Sequence, residues 1–278
     1  MRYVSFTRPD GRAAYGRLEG DTVVDLSAGA DAPVDLKSAI AAGVLADLAA
    51  GESFARGEVA LLPVIPNPGK IFCVGLNYAT HVAETGREQK EHPAIFHRWN
   101  DSLIGDGAAM VRPGESVRFD YEGEVAVIIG KAGRRIAKDA AWDHVAGYAP
   151  FNDGSVRDWQ RHNIQFLPGK TWPATGAFGP AMVTPDEIGD LSSQRVQTRL
   201  NGELVQDQPI SDMIWDIPTV IAYCSTFTDL APGDVIVTGT PGGVGDKRKP
   251  PLYMKAGDVV EISVGVIGTL TNPVVDEQ

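Results

Sequence analysis

Residues 116 to 130, SVRFDYEGEVAVIIG, place two carboxylates in an alternating frame. In a strand, Glu122, Glu124, Ala126 and Ile128 fall on one face, and Tyr121, Val125, Val127 and Ile129 on the other. Two acids pointing the same way resist joint ionisation unless a positive charge lies between them. A hard divalent cation is the simplest such partner, because Mg²⁺ and similar ions take oxygen ligands and keep other positions for water or substrate. Asp153, within AGYAPFNDGSVRDWQRH, is the natural third ligand, since an acid at the end of a buried strand and ahead of a helix start is a common way to build a metal site. A Glu-x-Glu pair is also what the solvated face of a half-exposed strand looks like. The run VAVII that follows it reads instead as a strand entering a core.

A second pair lies upstream. THVAETGREQKEHP begins as a helix and breaks up into polar residues, and His81 and Glu84, three apart, share a helical face. A carboxylate beside an imidazole orients it and strengthens it as a base; the same spacing also fits a surface pair. The tail from Gly86 to His92 has the composition of a mobile cover. After Asp153, GSVRDWQRHN reads as a helix capped by Asp153 or Ser155, with Arg157 and Gln160 on one face. Arg157 either serves a site or pairs with Asp158 or Asp153; Trp159 and His162 are assigned to packing. GTPGGVG, residues 239 to 245, ends a strand in a loop whose backbone N–H groups can approach a ligand closely, and Thr240 adds a hydroxyl. It lacks the Lys-Ser/Thr ending of a phosphate loop and the GxGxxG spacing of a dinucleotide loop, and a plain wide turn is the other reading.

Taken in order, VGLNYATHVAE at 74 to 84, FDYEGEVAVIIG, GYAPFNDGSVRDWQ, GK at 169 to 170, NGE at 201 to 203 and LAPGDVIVTGTPGGVG at 230 to 245 resemble the fumarylacetoacetate hydrolase family, over about residues 67 to 275. The resemblance implies an α+β, mainly β fold, a mixed β-roll, and a hydrolase that cleaves a carbon–carbon bond of 2,4-dioxo acids such as acylpyruvates or fumarylpyruvate. It implies Mg²⁺ or Mn²⁺ held by Glu122, Glu124 and Asp153, water activated by His81 and Glu84, and substrate oxygens met by Arg157, Gln160 and Lys170. The cation would act as a Lewis acid on the carboxylate and 2-oxo group, and the departing carbanion would be stabilised as an enolate. One departure stands out. Where the family pattern has a lysine two residues after a phenylalanine, this chain has Phe96-His97-Arg98; Arg98 is expected to replace the lysine as an anion contact, while His97 either packs or meets substrate. The departure leaves the substrate's identity open.

Two further functions compete. Decarboxylation or keto–enol tautomerisation of a 2-oxo diacid, such as oxaloacetate or 2-hydroxyhepta-2,4-diene-1,7-dioate, needs the metal but no attacking water. A metal-stabilised binding protein without turnover is the third reading, against which the His81–Glu84 pair counts.

The whole chain bounds these readings. Its 278 residues are enough for a substantial core, and 43% hydrophobic with 22% charged residues is ordinary for a soluble globular protein. Thirty-six acids against 25 bases argue against a nucleic-acid or anionic-membrane partner. Cys73 and Cys224 sit in apolar contexts and read as small buried hydrophobes. The start, MRYVSFTRPDG, lacks a signal-peptide pattern, and no apolar run approaches the roughly 20 residues of a membrane span, so a cytoplasmic protein is expected. The resemblance adds a homodimer.

Residues 1 to 25 read as a small β meander with turns at Pro9-Asp10-Gly11 and Glu19-Gly20-Asp21, and residues 35 to 50 as a helix. LLPVIPNPGK then marks a border near residue 66, between a small N-terminal domain (1–66) and a catalytic domain (67–278). RVQTRLNGELVQDQPI is expected to be a hairpin turning at Asn201-Gly202, and residues 211 to 227 a helix entered through Ser211 or Asp212. PGDVIVTG and AGDVVEISV each read as a Gly-Asp turn feeding a strand, which makes the core largely β.

Overall fold

The strand Gly123–Ile129 is buried along its whole length. Its β-branched residues favour the pleat, and an uninterrupted apolar run is what a strand covered on both faces requires. In the computed structural model, which describes residues 1–278, it pairs antiparallel with Val145–Asp153 on one side and Val235–Val237 on the other. Ile71–Gly75 adds parallel to Val235–Val237, and Ala94–His97 follows antiparallel. Val125, Val127 and Ile129 pack with helix Ile217–Phe227 through Ile217, Val220 and Ile221. Ala126 and Ile128 pack on the opposite face with helix Leu36–Ala42 through Leu36, Ala39 and Ile40. The mainly β fold with mixed pairing is therefore as expected, and the alternation of the central strand is the one its sequence shows.

The meander Arg2–Thr7, Ala13–Glu19 and Thr22–Asp25 forms as antiparallel hairpins. Arg2 and Tyr3 pair with Val183 and Met182, and Val183 pairs with Tyr148 on Val145–Asp153, so these strands belong to the same 13-stranded sheet as the acids. A second sheet runs in the order Glu203–Pro209, Arg195–Leu200, Val259–Val264, Gly268–Asp276, Met110–Arg112. Its first hairpin turns at Asn201 and Gly202, with φ of 52° and 80°, the left-handed pair a two-residue turn needs to match strand twist.

The two sheets meet at Gly123, between the glutamates. A Cβ there would lie 2.2 Å from the Thr198 hydroxyl oxygen. Thr198 is fully buried and donates to Gln206 Oε1 at 2.7 Å, so it cannot swing aside freely. Gly123→Ala is expected to destabilise the fold by about 1–3 kcal/mol through overpacking and to weaken divalent binding by moving both flanking carboxylates. Chemical denaturation and calorimetric metal titration measure the two effects.

Three helix expectations are corrected. The helix predicted over 35–50 stops at Ala42, because Gly43 adopts φ 68° and its N–H bonds back to the last turn. The helix predicted from Ser211 or Asp212 starts at Ile217: Asp216 is the cap, accepting from Thr219 N at 2.9 Å, and Ile210–Asp212 makes only a single tight turn. After Asp153 the chain first forms strand Ser155–Val156, paired with Phe119–Asp120, and the helix shrinks to Arg157–Gln160. Neither Asp153 nor Ser155 caps it. The Asp153 carboxylate is held by Arg98 and Lys170, and Ser155 donates to the Asp153 carbonyl at 2.8 Å. No helix is long and apolar enough to cross a membrane.

Candidate active site

The sheet register assembles the acids. Gly123 is paired with Asn152, and Asp153 N donates to the Glu122 carbonyl at 2.9 Å, which sets the end of one strand beside the start of the other. One carboxylate oxygen each from Glu122, Glu124 and Asp153 lies within 4.8 Å of the others, and all three side chains are buried. Buried like charges at such range need compensation. Lys170 Nζ supplies it at 2.5 Å from both Glu122 Oε2 and Asp153 Oδ2. Arg157 Nη1 donates to Glu122 Oε1 at 2.6 Å, and Arg98 Nη1 to Asp153 Oδ1 at 2.7 Å.

The carboxyls consequently differ. Burial alone would raise Glu122, but Lys170 and Arg157 hold it well below the usual carboxylate range. Glu124 accepts only the Gly239 backbone N–H, and burial together with Asp153 and Glu122 pushes its carboxyl well above that range. Burial lowers the Lys170 ammonium, yet Asp153 and Glu122 raise it above the ordinary lysine value. An all-oxygen donor set, buried and convergent, whose own counter-charge is an ammonium at its focus, fits a hard divalent cation.

Helix Ala79–Thr85 carries the imidazole. His81 Nδ1 lies 2.7 Å from Glu84 Oε1, while Glu84 Oε2 accepts from Gly243 N at 2.8 Å and Thr80 Oγ1 from Gly242 N at 3.1 Å. The glycine loop was expected to offer its N–H groups to a ligand; it offers them to the site's own acids. Besides Gly239 and Gly243, Gly245 N and Asp246 N donate to Asp120 at 2.8 and 2.9 Å. With Nδ1 engaged by Glu84, the Nε2 nitrogen of His81 is left for chemistry.

His81, Glu122, Glu124 and Lys170 line one cleft of about 270 Å³, with Arg157, Gln160 and Thr240 on its walls. Gln160 Oε1 accepts from Arg157 Nη1 at 3.1 Å. Thr240 donates to the Gly123 carbonyl at 3.0 Å and accepts from Gln206 at 2.8 Å. Glu84 stands behind His81. Arg98, expected at a substrate anion, is not brought to the cleft. Its side chain is fully buried behind Asp153, bonded also to Thr175 Oγ1 at 2.7 Å and the Gly154 carbonyl at 3.0 Å, so it positions the third carboxylate. His97 is exposed on the strand Ala94–His97. Trp159 packs on His162 and Trp172, and Arg157 pairs with neither Asp158 nor Asp153 but with Asp120 and Glu122.

Asp120 is the residue the sequence reading passed over. It is fully buried and accepts from Arg157 Nε at 2.7 Å as well as from the loop, tying the guanidinium and the glycine loop to one point. The signal was present: Asp120, Glu122 and Glu124 alternate on one strand face. Asp120→Ala removes one of the two acids that hold Arg157 and leaves the Tyr121, Gly245 and Asp246 N–H groups without their acceptor; it is expected to cost about 3–5 kcal/mol of stability, read by denaturant unfolding, with Asp120→Asn intermediate.

Fold and site together define a β-rich protein with an acidic focus for a hard cation next to an oriented imidazole. Residues 70–275 match the family model described as fumarylacetoacetate (FAA) hydrolase C-terminal, and the chain belongs to the fumarylacetoacetate hydrolase family. It is 38% identical to the mitochondrial oxaloacetate tautomerase fahd2 of Xenopus laevis, over 99% of this chain and 90% of that one. It is 42% identical to the oxaloacetate tautomerase YisK of Bacillus subtilis, over 80% of this chain and 75% of that one. The crystal structure of 5-carboxymethyl-2-hydroxymuconate delta-isomerase from Mycobacterium smegmatis superposes with a TM-score of 0.82 at 32% identity, covering all of both chains. These relatives overturn the expectation of a carbon–carbon hydrolase acting on acylpyruvates. They are named for tautomerisation and isomerisation, and both reactions retain the carbon skeleton that hydrolysis would cut.

Proposed function

We propose that this chain is a divalent-metal-dependent tautomerase of 2-oxo dicarboxylic acids of the oxaloacetate type. The observation that carries the reading is that two acids of the triad, Glu122 and Glu124, line one cleft with the imidazole anchored by Glu84, while Asp153, buried beside them, completes the acidic focus. The names of the relatives support proton transfer over bond cleavage. Mg²⁺ or Mn²⁺ held by the triad would supply Lewis acidity toward the carboxylate and the 2-oxo oxygen.

The chain's own groups do the rest. His81 Nε2 takes a proton from C3; the C–H pair becomes the C2=C3 double bond, and the carbonyl π pair passes to oxygen. Lys170 presents its ammonium proton to that oxygen, giving the enol, and the reverse sequence restores the ketone. Glu84 holds the imidazole ring and stabilises its cation. Arg157 Nη2 is buried without a partner and Arg157 lines the cleft, which makes it a donor for the substrate carboxylate, with Gln160 beside it. A homodimer is part of this proposal, checked by light scattering.

The test follows the enol absorbance of oxaloacetate with Mg²⁺ or Mn²⁺ and with chelator, and identifies products by mass. Metal-dependent interconversion at unchanged mass is expected. Loss of carbon dioxide would replace the reading with decarboxylation, and no acceleration with either metal would end it.

A further inference from the structure

The tautomerase reading gives the second carboxylate of a diacid no partner. Most cations lining the cleft are already committed to acids. Arg161 and Lys247 share Asp246, Lys170 bridges Glu122 and Asp153, and Arg157 is held by Asp120 and Glu122. Arg87 differs. It lines the same cleft, yet its guanidinium has no hydrogen bond or ion pair and rests over the Phe166 ring, 5.1 Å from the centroid.

An aromatic floor connects this residue to the acids. Phe166 meets Phe96 edge-on at 5.5 Å, and Phe96 in turn lies 5.2 Å from Lys170 Nζ. Arg87 also follows Gly86, the residue at φ 65° that ends the helix carrying His81, so the guanidinium is joined to the segment that carries the base. A solvent-facing cation–π contact is weak, whereas a guanidinium–carboxylate fork is charge-assisted and bidentate. A carboxylate at the cleft rim therefore displaces the ring as the partner of Arg87.

We propose that Arg87 receives the distal carboxylate of 2-oxo dicarboxylic acids and sets the preference for diacids over monoacids; the choice of substrate class rests on the tautomerase reading. Two probes that cannot enolise isolate the contact. Dimethyloxaloacetate carries both methyls on C3 and cannot enolise. Trimethylpyruvate has a methyl where the former has its second carboxylate. Calorimetric titration of the Mg²⁺-loaded protein is expected to show a preference for dimethyloxaloacetate of about ten- to a hundredfold. Arg87→Gln removes that preference and leaves trimethylpyruvate affinity unchanged, while Arg87→Lys retains part of it, because the charge survives without the fork.

Persistence of the diacid preference in Arg87→Gln, or an equal loss for both probes, overturns the assignment. Neither probe can enolise, so neither reports tautomerase turnover; dimethyloxaloacetate, which divalent ions can decarboxylate, is confirmed intact by mass after each titration. A wild-type protein that discriminates between them yet fails to interconvert oxaloacetate tautomers refutes the tautomerase reading and leaves Arg87 in place; the opposite pair of results does the reverse.

Discussion

Replacing His81 by Ala is expected to lower the proposed tautomerase turnover by on the order of 10² to 10⁴ while divalent binding is retained. His81 is the imidazole of the cleft, and it is not one of the three carboxylates that form the acidic focus. Its removal should not unseat the helix that carries it, because Glu84 keeps its bond from Gly243 and Thr80 its bond from Gly242. The measurement is kcat for enol–keto interconversion beside a calorimetric Mg²⁺ titration. Unchanged turnover would remove His81 from the chemistry, and joint loss of turnover and metal would make its role structural. Glu84→Gln should fall between wild type and His81→Ala, since an amide still orients the ring but no longer stabilises its cation.

Glu124→Gln is expected to abolish metal-supported activity with almost no effect on the metal-free fold. Burial and the neighbouring Asp153 and Glu122 raise this carboxyl, which favours its protonated form in the metal-free site, and glutamine mimics that form while still accepting the Gly239 N–H. Metal affinity should drop by more than about a hundredfold, since even outer partners of metal ligands cost about 10- to 100-fold when lost. The sign of the pH dependence follows. A proton held by Glu124 must leave as the cation enters, so affinity in the wild type is expected to rise with pH and binding to release protons. Titrations in buffers of different ionisation enthalpy detect that release, and Glu124→Gln should lack it. Equal proton release in both proteins would transfer the raised carboxyl to another residue.

The central strand was legible because its burial on both faces leaves an apolar run and its two-residue period fixes where Glu122 and Glu124 point. Asn201-Gly202 was legible because the turn chemistry is local. Helix starts were less so. Asp216 competes with Ser211 and Asp212 as a cap, and Asp153 looks like a cap until Arg98 and Lys170, distant in sequence, claim its carboxylate. The same long-range pairing hid the placement of Arg98 behind the site and the part played by Asp120. Reaction type was least legible, since a carboxylate triad beside an imidazole serves both hydrolysis of a diketone and movement of a proton; only the relatives distinguish them.

Lys170 sits at the acidic focus as an internal placeholder, matching the charge of Glu122 and Asp153 from within the polypeptide. Small zinc modules are unfolded until their ion arrives. This chain completes its charge balance unaided, so folding and metallation are separable events, and a chelator that strips the ion should return an intact polypeptide ready to be recharged.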